Sequence, residues 1–195
     1  MGPREEAVRA AVAQKLRALR AGRGWSLDLL ARRSGVSKGM LVQVEQGTSN
    51  PSLATLVRLA DAFGISITEL VESGAVEGVR RVGGDEAVVL WSDGAGSRAE
   101  FLLGYDRGEH VELWRWELAP GASYRSHAHL SGTREIVHLT AGRLVLVVAG
   151  ERHELRPGDS VLYPGDRDHA LHNPGGDPAR LAMVVIAPPG PAAGT

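Results

Sequence analysis

From Val8 to Leu19 the apolar residues Val8, Val12, Leu16 and Leu19 recur at spacings of four, four and three, which stripes one face of a helix. Gly22 and Gly24 close that stretch, and Ser26 is placed to cap a second helix running to about Arg33. Gly35-Val36 reads as a tight turn, after which Ser37 caps a third helix ending near Gly47. Asn50-Pro51 interrupts the chain again. Ser52 then opens a fourth helix whose buried face is Leu53, Leu56, Leu59, Ala60 and Phe63, and a short fifth helix begins near Ser66 and holds Leu70.

After Val71 the texture changes. Residues 72–86, ESGAVEGVRRVGGDE, are rich in glycine and charge and read as a linker. Beyond them come short apolar or alternating stretches at 87–92, 99–105, 111–118, 134–140, 144–149, 159–163 and 179–186, punctuated by Gly, Pro and Asp. That rhythm predicts an all-β sandwich or barrel. The expected organisation is a helical domain over 8–71, a linker over 72–86, a β domain over 87–188 and a flexible tail over 189–195.

Composition narrows the chemistry. The 195 residues suit one medium domain or two small ones, and 43% hydrophobic with 23% charged residues is ordinary globular usage. There is no cysteine, which excludes disulfides, thiolate metal sites and cysteine nucleophiles. The longest apolar runs, Leu144–Ala149 and Leu181–Ala187, are too short to span a bilayer, and the N-terminus carries charge where a signal peptide needs an apolar core. A cytoplasmic protein with no membrane partner is expected. The net charge of −1 divides unevenly: residues 1–71 hold 10 Lys+Arg against 6 Asp+Glu (+4), and residues 72–195 hold 12 against 17 (−5). A basic head on an acidic body points to the head as the part that meets a polyanion.

Ser26–Ser34, Gly35-Val36 and Ser37–Gln46 form a helix-turn-helix pattern. Its wording, with Leu30-Ala31, Gly35-Val36-Ser37, Val44-Glu45-x-Gly47, Asn50-Pro51, Leu59-Ala60 and Ile65-Ser66, resembles the five-helix, lambda-repressor-like DNA-binding domain of the phage-repressor (XRE) family over about residues 12–71. The resemblance implies that the third helix enters the major groove. Lys38, Gly39 and Gln43 would then face base edges, and Ser37 and Gln46 would bond to phosphates. Lys38 suits guanine O6/N7 and Gln43 suits adenine N6/N7, whereas Gly39 only lets the backbone come close. Leu27 stands where the family often has a polar phosphate contact, and Ser26 partly replaces it. The resemblance also implies a buried ion pair between Arg20 and Glu45. One such head on one half-site would bind weakly, so a dimer on a palindromic operator in double-stranded DNA is expected.

All seven histidines lie in the second half: His110, His127, His129, His138, His153, His169 and His172. On an extended strand His127 and His129 would share one side, and a carboxylate and a third imidazole could join them inside a barrel. Such a set suits Zn, Fe, Ni, Mn or Cu with a position open for water or ligand. The residues Gly121, His127, His129, Glu135 and Gly142, then Gly158, Pro164, His169 and Asn173, resemble the two motifs of the cupins, whose fold is a double-stranded β-helix or jelly-roll barrel. Two departures stand out: five residues separate His129 from Glu135 where three or four are usual, and Asp166 replaces a glycine. The resemblance implies a divalent metal ion on His127, His129, Glu135 and His169. Parity puts Arg125 beside His127, facing inward, and Trp114 and Trp116 together on one strand face as core or as pocket lining. With Arg125 inside, the pocket would favour an anionic small-molecule effector.

The whole chain resembles regulators that join an XRE-type head to one cupin sensor. The expected function is a ligand-responsive transcriptional regulator, not an enzyme, dimeric through the cupin domain, with its effector held in the barrel. The alternative is a metal-dependent cupin oxygenase or epoxidase with an accessory helix-turn-helix, and a metal-sensing repressor with no organic effector is a third reading. The difference expected between regulator and oxygenase lies in the donor set: three His and one Glu here, against two His and one carboxylate in the oxygenases.

Overall fold

The computed structural model describes residues 3–71, 78–107 and 109–188. The expected tail at 189–195 and the first part of the expected linker, 72–77, lie outside the described residues. The rest of that linker, 78–86, contains neither helix nor strand. The chain divides into two compact units, with the second spanning Ala87–Pro188.

The first unit is built of α1 (Pro3–Gly22), α2 (Leu27–Ser34), α3 (Lys38–Gln46), α4 (Leu53–Phe63) and α5 (Ile67–Val71). Capping serines set the starts of three of them: the Ser26, Ser37 and Ser52 hydroxyls accept from the backbone N–H groups of Leu29, Met40 and Thr55. Left-handed glycines at 35, 47 and 64 set their ends, each donating its N–H back into the last turn. The first helix starts at Pro3 rather than near Val8, since Glu5, Glu6 and Ala7 are good helix formers. Val12, Leu16, Leu30, Leu41, Val44, Leu56, Leu59, Phe63 and Leu70 form the core.

One ion pair is set into that core. Arg20 Nε and Nη2 donate to the two Glu45 carboxylate oxygens at 2.6 and 2.9 Å, and Arg20 Nη1 donates to the Trp25 carbonyl at 3.0 Å. Arg17 reaches the Glu45 carbonyl. The carboxylate, bonded through two parallel N–H groups, holds the Arg20 pKa above its ordinary value. This pair ties the end of α1 to α3, the helix that the sequence marks as the reader.

The second unit is two facing antiparallel sheets. One has the order β1 (Val88–Ser92), β2 (Arg98–Arg107), β3 (Glu109–Leu118), β10 (Ala179–Ala187), β5 (Arg134–Ala141) and β8 (Ser160–Pro164). The other has the order β4 (Ser123–Ser126), β9 (His169–His172), β6 (Leu144–Val148) and β7 (Glu151–Leu155). Alternation fills the space between them: on β3, Trp114, Trp116 and Leu118 are buried while Arg115 between them is exposed. Strands β4, β7 and β9 escape the apolar pattern because they are short and at least half polar, and four of the five β7 residues are exposed. One polar cluster and one close backbone approach hold the β unit together. Asn173, fully buried, donates through Nδ2 to the carbonyls of Leu118, Ala119 and Asp177 and accepts from Gly175 N–H. Gly142, at φ 78°, passes so near the opposite chain that a Cβ there would lie 2.5 Å from the Pro178 carbonyl oxygen.

Replacing Glu45 with Ala strands the Arg20 guanidinium, and we expect the helical unit to lose about 3 kcal/mol. Urea titration followed by helix circular dichroism measures it; an unchanged first transition would mean the pair is not structural.

Candidate functional site

In the β unit the donor-bearing side chains gather at one carboxylate. Glu135, on β5, is 1% exposed. Tyr163 is its direct cross-strand partner on β8, and the phenol O–H donates to Glu135 Oε2. His129 Nε2 lies 3.0 Å from Glu135 Oε1, and His169 Nε2 lies 3.5 Å from Oε2. The ligand atoms of His129, Glu135 and His169 all fall within 4.8 Å of one another.

Local structure explains why these residues converge. His169 begins β9, paired with Ser126 of β4 on one side and Val148 of β6 on the other. Its Nδ1–H donates to the Arg167 carbonyl at 2.8 Å, which turns Nε2 toward Glu135. His129 lies beyond the end of β4, and its backbone N–H is held by the Gly165 carbonyl at 3.0 Å. The long gap to Glu135 is taken up by a turn, Thr133 N–H to Leu130 carbonyl, and Gly165 N–H returns to the Thr133 carbonyl. Asp166, which stands where the motif has glycine, accepts from Gly132 N–H at 2.9 Å and so pins the extended loop. The two departures from the motif therefore compensate each other. A side chain at Gly165 would crowd Glu135, its Cβ lying 3.1 Å from Cγ and 3.2 Å from Oε1.

The electrostatics follow from burial and from the neighbours. Burial alone would raise the Glu135 pKa, but the His129 hydrogen bond, the His169 and His129 charges and the Tyr163 hydrogen bond outweigh it and hold the pKa below the usual carboxylate value. Tyr163 is pushed well above its ordinary value by burial, by the Glu135 charge and by its bond to that carboxylate. Tyr124 is pushed up to about 12, by burial first and the Glu135 charge second. Both phenols therefore stay protonated, and Tyr163 remains a donor to Glu135. Two imidazole nitrogens and a carboxylate oxygen on one buried spot fit a divalent metal ion: His129 and His169 would supply neutral nitrogens and Glu135 the anionic oxygen.

Two expected members do not reach this group. His127 is 94% exposed, with Nδ1 3.9 Å from Asp168 Oδ1. The parity argument that paired it with His129 fails because β4 ends at Ser126, so the two histidines are not on a common strand. Arg125 is exposed on β4, where Tyr124 and Ser126 take the inward positions, so it does not stand beside the metal-type donors. Trp114 and Trp116 are both buried. Trp114 meets Phe101 edge-on and donates Nε1–H to Glu112 Oε2 at 3.1 Å, and Trp116 packs on Trp91 and Tyr124. Both tryptophans also line a groove of about 270 Å³ rimmed by Arg98, Arg115 and Arg180, which none of the three donor residues lines. His138 is exposed and bonded to Ser160, and His110 is buried within β3. Tyr163 is the residue that sequence reasoning missed. Its sole local cue is the place just before Pro164, and only the β5–β8 register sets it against Glu135.

On the helical unit, Ser26, Ser37, Lys38, Gly39, Gln43 and Gln46 are all exposed. Lys38, Gly39, Gln43 and Gln46 lie on one face of α3, spaced one, five and eight residues from its start. The Ser26 and Ser37 hydroxyl oxygens already accept capping N–H groups, which leaves each O–H proton free to donate to a phosphate. Gly39 has nothing within 4 Å of an added Cβ, so that surface is open.

Tyr163→Phe removes one donor from the buried carboxylate, and a loss of about 1.5–3 kcal/mol from the β unit is expected. Chemical denaturation monitored by tryptophan fluorescence checks it, since all tryptophans of the chain except Trp25 lie in that unit. Equal midpoints would mean that water replaces the phenol without loss.

The comparisons with known proteins divide the chain as the structure does. A helix-turn-helix family model matches residues 16–70 and a cupin domain model matches residues 114–186. The HTH-type transcriptional regulator SutR of Escherichia coli (strain K12) is 33% identical over 175 residues, covering 89% of this chain and 93% of that protein. The HTH-type transcriptional regulator DdrOP3 of Deinococcus deserti is 41% identical over 59 residues, 30% of this chain and 46% of its own. A crystal structure of an HTH_3 family transcriptional regulator from Vibrio cholerae superposes with a TM-score of 0.74 at 25% identity, over 94% of this chain and 99% of that one. With a relative matched along nearly its whole length and both domains recognised in the same order, the chain belongs to the transcriptional regulators that join an XRE-type helix-turn-helix to a cupin domain.

Proposed function

We propose that this regulator binds a palindromic operator as a homodimer, with the cupin unit serving as dimer interface and effector chamber and residues 72–86 as the link. The observation that carries the reading is the convergence of His129, Glu135 and His169 in the β unit of a DNA-binding regulator. Donors of this kind around one buried carboxylate give the β unit something to sense. His129 and His169 would hold a divalent ion through neutral nitrogens, Glu135 through an oxygen, and Tyr163 would keep the carboxylate aimed. A bound ion would supply a Lewis-acidic position for an effector oxygen. One carboxylate and two neutral imidazoles leave a divalent ion with a net charge of +1, which favours an anionic effector without help from Arg125. On the DNA side, Lys38 and Gln43 would meet bases, Ser26, Ser37 and Gln46 would meet phosphates, and Gly39 would allow close approach.

One observation favours a second reading. The donor set is two His and one Glu rather than three His and one Glu, and two His with one carboxylate is the ligand set of non-haem iron oxygenases. The ligand count therefore no longer separates regulator from enzyme. Membership of a regulator family weighs for the first.

The test uses the full-length protein and an operator selected from randomised duplexes. Wild type should hold about one divalent ion per chain by mass spectrometry, and His169→Ala should weaken metal binding at least roughly tenfold. The variant should still bind operator but lose any response to added metal or small anions. No stoichiometric ion after dialysis against Zn, Ni, Mn and Fe would overturn the metal reading. Oxygen consumption by the ferrous protein, with operator occupancy indifferent to the same compound, would favour the enzyme. Response to metal alone would make it a metal-sensing repressor.

A further inference from the structure

The first residue of the reading helix is not free in solution. Lys38 Nζ lies 3.0 Å from both carboxylate oxygens of Asp28, a residue in the first turn of α2. The two side chains are 56% and 59% exposed, so the pair stands on the surface at the point where the starts of α2 and α3 approach each other. Exposed pairs of this kind contribute little to fold stability. Lys38 is also the only basic residue of α3, whose other charged residue, Glu45, is turned into the core against Arg20. With Asp28 in place, the exposed face of α3 therefore presents an ion pair in place of a bare cation.

That arrangement is poor for gripping a phosphate. A carboxylate beside the ammonium repels the same anion that the ammonium attracts. It is well matched to a base pair. Lysine offers only donors and aspartate only acceptors. In the major groove a G·C pair presents the guanine N7 and O6 acceptors next to the cytosine N4 amino donor. We propose that Asp28 and Lys38 act as one unit that reads a single G·C pair, Lys38 donating to guanine and Asp28 accepting from cytosine N4–H. Asp28 is thereby a specificity residue that lowers affinity for DNA in general while raising discrimination at one operator position. The assignment rests on α3 being the groove helix.

The experiment is selection from a randomised duplex library with the full-length protein, alongside salt-dependent binding to mixed-sequence duplex. For Asp28→Ala we expect the preference for G·C to collapse at one position per half-site while the other positions keep theirs. Affinity for mixed-sequence duplex should rise severalfold, and the salt dependence should steepen by about one unit of log–log slope as Lys38 is released to a phosphate. Asp28→Asn keeps the shape at the start of α2 and should show the same rise and slope, which guards against a folding defect in the alanine variant. Gln43→Ala is the control for the groove assignment. If Gln43→Ala alters the selected site while both Asp28 variants select the wild-type site with wild-type slope, the role given to Asp28 is wrong and the groove helix stands. If wild type enriches no sequence at all, both fall.

Discussion

A carboxylate sealed inside a barrel has to be surrounded by hydrogen-bond donors or by positive charge, because burying it bare costs far more than a domain of this size can supply. Glu135 imposes that condition on the β unit. Tyr163 answers it from the adjacent strand, His169 from the opposite sheet, and His129 from a loop stitched to Gly165 and Asp166. Four separate stretches of chain are therefore registered on one oxygen pair. The features that look like irregularities, the lengthened gap before Glu135 and the aspartate in place of glycine, are the ones that let His129 arrive. A site built this way fits a cation, since the His129 and His169 nitrogens and a Glu135 oxygen lie close enough together to share one.

The helical unit solves the same physical problem with a different result. Glu45 is also buried, but Arg20 closes both of its oxygens and Arg17 reaches its backbone carbonyl. Nothing is left for a ligand, and the pair acts as a fixed strut beneath α3. A buried acid in this chain is thus structural where a permanently charged guanidinium meets it. It is a candidate binding site where imidazoles, which can give up a proton, meet it instead.

The division of charge along the chain has a matching logic. The helical unit carries the excess of basic residues, yet Lys38, the sole cation on the exposed face of α3, stands beside an acid rather than alone. The excess of basic residues in the helical unit is therefore carried by residues off that face.

Much of this protein was legible without coordinates. Helix limits in the head could be read from Ser26, Ser37, Ser52 and the glycines at 35 and 47, because capping is a local interaction between residues three or four apart. The cupin-like spacing likewise pointed to Glu135, His129 and His169, and the stripes of Leu and Val marked both cores. Side-chain direction in the β unit was a different matter. Arg125 takes an exposed position on β4, and His127 lies past the strand's end at Ser126, where strand parity no longer applies, so His129 and not His127 reaches Glu135. Tyr163 had only its place before Pro164 as a cue and Asp166 only its departure from glycine, and neither cue named its partner. Where a strand stops, which strand lies opposite and which loop is pinned to which turn are set by contacts between residues far apart in sequence. Period and spacing along the chain cannot encode those contacts, so the caps belonged to the sequence and the completed site to the tertiary structure.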